Sequence, residues 1–374
     1  MPQSDEVLAW LRLSRAPPLD AQVVRTALAR AESAQQLLRF PSHERALLGL
    51  PPRLEAYLRS AASQPSAVEC RWLDHPRHHL LAFVDPGFPR LLAEVPACPL
   101  ALFVDGAVTA LQQPQLAVVG TRNPTAQGRE NARDFAASLV QSRLVVTSGL
   151  AAGIDAEAHR GALGAAGTTV AVLGTGIDLV YPQGHRALSE AIAASGALVS
   201  EFPLGAAARA AHFPQRNRLI AGLSLGTLVV EAALRSGSLI TARLAVDFGR
   251  EVFAIPGSIR NPMSRGCHQL IQQGAKLTEN AADIVNELGF SADLADRRAG
   301  AAAALRTLSP SPGMDKDHKI LLDALGFDPA DRDTLVLRTG FKPEAVSSIL
   351  LILELEGYVQ AAPGGCYSRV ARSP

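Results

Sequence analysis

Leu116-Ala117-Val118-Val119-Gly120-Thr121-Arg122 is an unbroken apolar run that ends on a glycine, a hydroxyl and an arginine. Apolar residues without polar alternation suit a strand buried on both faces, and the glycine lets the chain turn sharply into the next element. The same grammar recurs downstream. Leu144-Val145-Val146 runs into Thr147-Ser148-Gly149-Leu150-Ala151-Ala152-Gly153, with a helix expected from Ile154-Asp155, and Thr169-Val170-Ala171-Val172-Leu173 runs into Gly174-Thr175-Gly176. Ala197-Leu198-Val199, Thr227-Leu228-Val229-Val230 and Val252-Phe253-Ala254-Ile255 are further runs of this kind. Strand, glycine turn and helix, repeated from Leu116 to Leu288, predict an α/β fold with a mostly parallel sheet covered by helices on both faces.

Outward from that block the texture changes. Leu81-Ala82-Phe83-Val84 and Leu100-Ala101-Leu102-Phe103-Val104 are short apolar runs among prolines, expected as edge strands or connections. Between Val7 and Ala62, apolar residues recur at helical spacing between breaks at Pro17-Pro18, Pro41 and Pro51-Pro52, which predicts a small bundle of short helices. Residues 291–314 are rich in alanine, arginine, serine and proline without periodicity and are expected to form a linker. After it, His318 to Leu325, Asp331 to Thr339 and Pro343 to Glu356 are expected as helices, and Gly357 to Ser368 as a hairpin, the pattern of a winged helix. The expected organisation is therefore residues 1–80, 81–290, 291–314 and 315–374.

Where a parallel strand ends and a helix begins, free amides and the helix dipole converge and favour an anion. Gly120-Thr121-Arg122, the turn from Thr147 to Gly153, and Gly174-Thr175-Gly176 are three such points. For any one of them the competing explanation is close packing of helix on sheet. Phe213-Pro214-Gln215-Arg216-Asn217-Arg218 then puts a ring, two guanidinium forks and a carboxamide at the start of a helix. That set suits a nucleic-acid strand: the ring stacks on a base, the forks hold phosphate, and the amide meets a base edge. In the alternative, Arg216 and Arg218 pair with carboxylates such as Glu201 or Glu231 while Phe213 packs in the core.

The whole chain narrows these options. Its 36 Lys and Arg balance 35 Asp and Glu, so nucleic-acid contact must come from a local cluster rather than a global field. Residues 1–80 carry ten basic and eight acidic side chains, little support for a backbone-gripping role there. Cys70, Cys98, Cys267 and Cys366 form no C-x-x-C pair, so neither zinc nor a disulfide framework is expected. The start of the chain lacks the features of a signal peptide, and no apolar run reaches the roughly 20 residues that span a bilayer; a cytoplasmic protein is expected.

Chemistry finds few handles. No turn matches G-x-G-x-x-G or the P-loop, and no carboxylate stands at the end of the second strand to grip a ribose. His159, His185, His212 and His268 accompany hydroxyls at Ser148, Ser238 and Thr241, but there is no G-x-S-x-G elbow and no H-E-x-x-H. Asp155 and Glu231 are the acidic residues to inspect, the former explained by capping a helix start.

Taken together, Val118 to Arg122, Ser148 to Asp155, Val172 to Asp178 with Tyr181-Pro182, Ser200-Glu201-Phe202-Pro203, Phe213 to Ser224 and Ser236 to Thr241 resemble the DNA-processing protein A family, also called DprA or Smf. The resemblance implies an extended Rossmann-like domain that dimerises and binds single-stranded DNA. It also implies a sterile-alpha-motif-like (SAM-like) helical domain before it and a winged helix after it. Members protect incoming single strands and load the RecA recombinase during natural transformation. On matching positions Thr121, Arg122, Ser148, Gly149, Phe213, Arg216, Asn217 and Arg218 inherit the DNA-binding role, with no catalytic residue, metal or cofactor expected. Ala152, Gly184-His185 and His268 depart from the usual pattern, where arginine, Glu-Asn and asparagine are common.

The alternative is a nucleoside-monophosphate phosphoribohydrolase of related fold. Its P-G-G-x-G-T-x-x-E loop is not reproduced by the text from Glu231 to Ser238. From Asp315 to Pro374 there are seven basic and nine acidic residues, and Pro343 to Glu356 holds no Lys or Arg, so major-groove reading by that helix is not expected. A protein-contact or core-packing role is.

Overall fold

Strand β3 (Gln115–Val119), the opening run, is buried along its whole length, and the sheet grows from it in both directions. The structure is a computed structural model that describes residues 4–289, 316–326, 329–362 and 364–370; the expected linker lies outside them. Residues 1–124 with 131–284 form one body, and 125–130 with 285–374 another.

The first body begins with helices α1 (Asp5–Ser14), α2 (Ala21–Ala31), α3 (Ala34–Arg39), α4 (Ser42–Leu47), α5 (Pro52–Leu58) and α6 (Ala67–Leu73). Four of the six are capped by side chains, at Ser4, Asp20, Ser33 and Ser66, while α4 and α5 start after prolines without a side-chain cap. Asp20 accepts from Gln22 N, Ser33 from Gln36 N, and Ser66 with Glu69 forms a reciprocal capping box. Trp10, Val24, Leu37 and Leu54 share one continuous core with Phe83, Leu92 and Leu102, so these helices bury their apolar stripe against the sheet layer. Strand β1 (His78–Ala82) crosses the boundary expected at residue 80 and pairs antiparallel with β2 (Ala101–Gly106), with α7 (Arg90–Ala93) between them.

Beyond β3 the chain runs through α8 (Ala126–Gln141), β4 (Val145–Ser148), α9 (Ile154–Gly164), β5 (Thr169–Val172), α10 (Arg186–Ser195) and β6 (Ala197–Ser200). It returns through α11 (His212–Leu223) to β7 (Gly226–Val229), then α12 (Ser238–Asp247), β8 (Glu251–Ala254), α13 (Arg265–Gln272), β9 (Lys276–Leu277) and α14 (Ala281–Glu287). The strand order is β1-β2-β6-β5-β4-β3-β7-β8-β9, parallel from β6 to β9. Successive strands step from β3 to one side, and α11 carries the chain back across to the other. The boundary between β3 and β7 is therefore the topological switch point, where the connections leaving the two strands diverge and open a crevice at the carboxyl edge. Two-sided burial explains the unalternating runs; β9, two exposed residues at the edge, leaves no such run.

The second body is built from α15 (Lys316–Leu325), α16 (Arg332–Thr339) and α17 (Pro343–Leu355) with strands β10 (Ala330–Asp331), β11 (Val359–Ala362) and β12 (Cys366–Arg369) in the order β10-β12-β11. Leu321, Leu325, Leu335, Val346, Leu350, Leu353 and Val359 make its own core. This is the expected winged helix, with β10 added ahead of the second helix. Among the described residues no helix is long and apolar enough to cross a membrane.

Candidate nucleic-acid interface

A cavity of about 300 Å³ lies at the switch point, between the turn after β3, the head of α11 and the turn after β7. Gly120 and Arg122 line one side, Phe213 and Asn217 the second, and Ser236, Gly237 and Ser238 the third, above Ile220 and Thr241. The head of α11 is set by its own residues. His212 stacks on Phe202, with ring centroids 4.2 Å apart, and its Nδ1 lies 3.2 Å from the Gly174 carbonyl. Pro214 sits inside the first turn, where its missing N–H costs nothing, so the helix starts ahead of the proline rather than after it.

The eight expected residues divide into two groups. Arg122, Phe213 and Asn217 line the opening, and Thr121 lies beside Arg122 in the turn after β3. Thr121 stitches the three elements together: its N–H donates to Glu231 O at 2.7 Å, and its carbonyl accepts from Ile154 N at 3.2 Å. Gly153, at φ +85, closes this junction, because a Cβ there would strike the Thr121 and Arg122 backbone. The Arg122 side chain is exposed, with its guanidinium 5.3 Å from the Phe213 ring centroid. That half-buried ring rests against Gly174, where a Cβ would leave only 3.0 Å, and Tyr181 approaches it at 5.8 Å.

Ser148, Gly149 and Arg218 stand outside the cavity lining, and Arg216 lines it while remaining almost wholly buried. Ser148 is fully buried and donates to Val118 O at 2.6 Å. Arg216 is only 4% exposed, and its Nη1 donates to Gly149 O and Val172 O, both at 2.5 Å. Arg218 forms an ion pair with Glu201. Both forks therefore spend donors inside the protein, and Glu201, one of the two carboxylates named as alternative partners, is the one that meets Arg218. Helical geometry accounts for Arg218 but not for Arg216, which at about 60° from Phe213 shares its side of α11. At 100° per residue, Asn217 and Ile220 lie within about 40° of Phe213 around α11, whereas Arg218 lies about 140° away.

The expected anion cradles need the same correction. The Gly149 turn is filled by the Arg216 guanidinium, Gly174 by the Phe213 ring, and Gly120 lies against Ile154 and the Glu231 carbonyl. Close packing, the competing explanation for each glycine, is what the first shell of atoms shows. Of these three glycines, Gly120 lines the crevice.

Below it lies Asp155, the second residue of α9 rather than its cap. Its Oδ2 accepts from Gly149 N at 3.1 Å and Ala151 N at 3.4 Å. Burial raises its carboxyl pKa, opposed by the charges of Arg216 and Arg122 and by the two amides. Burial also pushes the Arg216 guanidinium down to about 10, opposed by Asp155. Glu231 is buried, and its backbone carbonyl accepts from Thr121 N.

Ser236 and Ser238, whose hydroxyls are 2.7 Å apart, line the cavity; the sequence reading singles out Ser238 only as a hydroxyl candidate and Ser236 not as a site residue at all, and their place in the Ser236-Gly237-Ser238 motif is the signal that marks them. Of the departures, Ala152 is exposed, His185 Nδ1 lies 2.9 Å from Leu150 O, and His268 Nε2 lies 3.0 Å from Gly257 O. Among the described residues no cluster of His, Cys, Asp and Glu is arranged to hold a metal ion.

A family model described as DNA recombination-mediator protein A matches residues 79–289, and one described as the DprA winged helix domain matches residues 300–365. Protein Smf of Escherichia coli K12 is 42% identical over 307 residues, covering 81% of this chain and 80% of that one. The DNA processing protein DprA of Streptococcus pneumoniae is 44% identical over 209 residues, covering 56% of this chain and 74% of that protein. The X-ray structure of DprA from Streptococcus pneumoniae superposes with a TM-score of 0.65 at 35% identity, covering 77% of this chain and 99% of that one. A Helicobacter pylori DprA structure described for its single-stranded DNA binding mode gives 0.51 at 28% identity, covering 57% and 96%. Fold, motifs and relatives agree that the chain belongs to the DNA recombination-mediator protein A family, the DprA and Smf proteins.

Proposed function

We propose that this chain is a cytoplasmic mediator of DNA recombination, working as a homodimer. It holds single-stranded DNA at the switch-point crevice, protects it without cutting it, and delivers it to a RecA-type recombinase, as in natural transformation. The supporting observation is the wall where the exposed Arg122 guanidinium lies over the Phe213 ring, beside the Asn217 carboxamide. A base can take the place of the guanidinium over the ring, and the freed Arg122 fork can turn to the adjoining phosphate. Stacking is tolerant of sequence, and the phosphate contact is not specific to any base, which suits a protein that handles any incoming strand. The single-stranded DNA binding mode described for the Helicobacter pylori relative supports the choice of ligand.

The test is fluorescence anisotropy of a labelled oligonucleotide across a salt series. Arg122→Ala is expected to weaken binding and to reduce the slope of log K against log salt by about 0.7, one phosphate contact on a single strand. Phe213→Ala is expected to cost roughly 1–3 kcal/mol with the slope unchanged. A wild-type chain that leaves the oligonucleotide free at low salt overturns the reading. Delivery is tested separately, by adding the chain to RecA and an oligonucleotide coated with single-strand-binding protein; no gain in RecA filament formation removes that part.

A further inference from the structure

We infer that Arg216 is a positioning residue of the crevice: it ties the turns after β4 and β5 to the head of α11 and so aims Phe213 and Asn217 at the strand, without touching phosphate itself. This rests on the single-strand reading above and assigns a role within that site.

The Arg216 side chain lines the crevice from its buried side, and sends Nη1 inward and Nε sideways. Nη1 reaches the carbonyls of Gly149 and Val172, which belong to two different carboxyl-edge turns, and Nε reaches Asn217 Oδ1 at 3.1 Å. Gly149 has no Cβ because the guanidinium occupies that space. The turn is gripped from both sides, since Asp155 accepts the Gly149 and Ala151 amides while Arg216 takes the Gly149 carbonyl. Opposite buried charges thus hold the two ends of one short stretch of backbone.

The bond to Asn217 has a directional consequence. A guanidinium can only donate, so the amide must turn its oxygen towards Arg216 and its Nδ2 the other way. Nδ2 has one long contact, to Gly237 O at 3.4 Å, which leaves N–H donor capacity at the crevice wall for an acceptor on a base edge. Phe213 lies three residues back on α11, and the Arg216 guanidinium is 5.9 Å from its ring centroid. Ring and amide are therefore both referenced to one planar, buried fork. Arg122 is the contrast: exposed, and without a carboxylate partner among the described residues.

Arg216→Lys separates positioning from phosphate contact. Lysine keeps the charge that Asp155 faces but not the planar fork, so a positioning role predicts about tenfold weaker binding at every salt concentration with the slope unchanged. A phosphate contact predicts near-wild-type affinity for the same variant. The second variant, Arg216→Met with Asp155→Asn, removes both buried charges together so that neither is stranded; it should also keep the wild-type slope. In a Phe213→Ala, Asn217→Ala background, Arg216→Lys should add less than about a twofold loss, because the groups it aims are gone; additive losses would instead mark a merely structural role. Wild-type affinity in Arg216→Lys, a slope reduced as in Arg122→Ala for Arg216→Met with Asp155→Asn, or additivity in the background that lacks both Phe213 and Asn217 side chains each overturns this assignment alone. Failure of the wild-type chain to hold the oligonucleotide overturns the single-strand reading and this assignment with it.

Discussion

His159 lies on α9 beneath the crevice, fully buried, with Nδ1 2.7 Å from Thr169 Oγ1. Thr169 Oγ1 already donates to Val146 O at 2.6 Å, so Nδ1 must carry the proton, and Nε2 is buried with no partner among the described residues. A second proton would enter that unpartnered site. Burial, then the charges of His185 and Arg216, push the imidazole down to about 3. Between pH 6.5 and about 3 the unfolded chain therefore binds a proton that the folded chain refuses, and stability falls as pH falls. The loss approaches about 1.4 kcal/mol per pH unit well below 6.5. Urea unfolding from pH 7.5 to 5 should show His159→Asn, which keeps a donor towards Thr169, with a flatter pH dependence than wild type; equal slopes would mean that His159 is protonated in the fold. At this scale the sequence was half legible. Arg122, Phe213, Asn217 and Arg216 line the crevice, but Ser148 and Arg218 turn away from it and Arg216 spends its fork on backbone carbonyls, which only the three-dimensional approach of Gly149 and Glu201 shows. A guanidinium in a sequence does not reveal whether its fork meets solvent or backbone carbonyls.

Elements were more legible than residues, because two-sided burial writes itself into composition. Every strand from β3 to β8 was read from an unalternating apolar run, while the close approaches that fix how helices lie on the sheet are carried by single glycines. In α9, Gly161 faces the backbone of Arg133 in α8, and a Cβ would press into the Arg133 carbonyl oxygen. Gly164, three residues on, has open space where its Cβ would be. Gly161→Ala must push the two helices apart and is expected to cost about 1–3 kcal/mol. Gly164→Ala meets nothing and gains helix propensity, up to ~1 kcal/mol. Thermal melting followed by circular dichroism should move in opposite directions for the two, roughly 2–4 °C per kcal/mol in a chain of this size. Equal shifts would mean that α9 does not depend on the close contact.

Across the whole molecule, charge decides what each body offers a polyanion. The chain as a whole is nearly neutral, so binding cannot rest on a general positive field and must come from particular sites. In the winged module, α17 turns Val346, Ile349, Leu350 and Leu353 into the core and leaves Leu351, Ile352 and Leu355 exposed beside acidic residues. A helix that enters the major groove needs cationic or amide side chains along its outer face, and α17 has no Lys or Arg. Single-strand affinity is accordingly expected to come from the crevice alone. The full chain should bind an oligonucleotide at least tenfold more tightly than a duplex of equal length at about 0.15 M salt, conditions in which nonspecific duplex binding is weak. A chain ending at Gly289 should keep the full-length salt slope for single strands, because no phosphate contact is lost. A shallower slope after truncation would place cationic contacts in the second body. Comparable affinity for duplex would give α17 or the wing a DNA-binding role that its charge argues against.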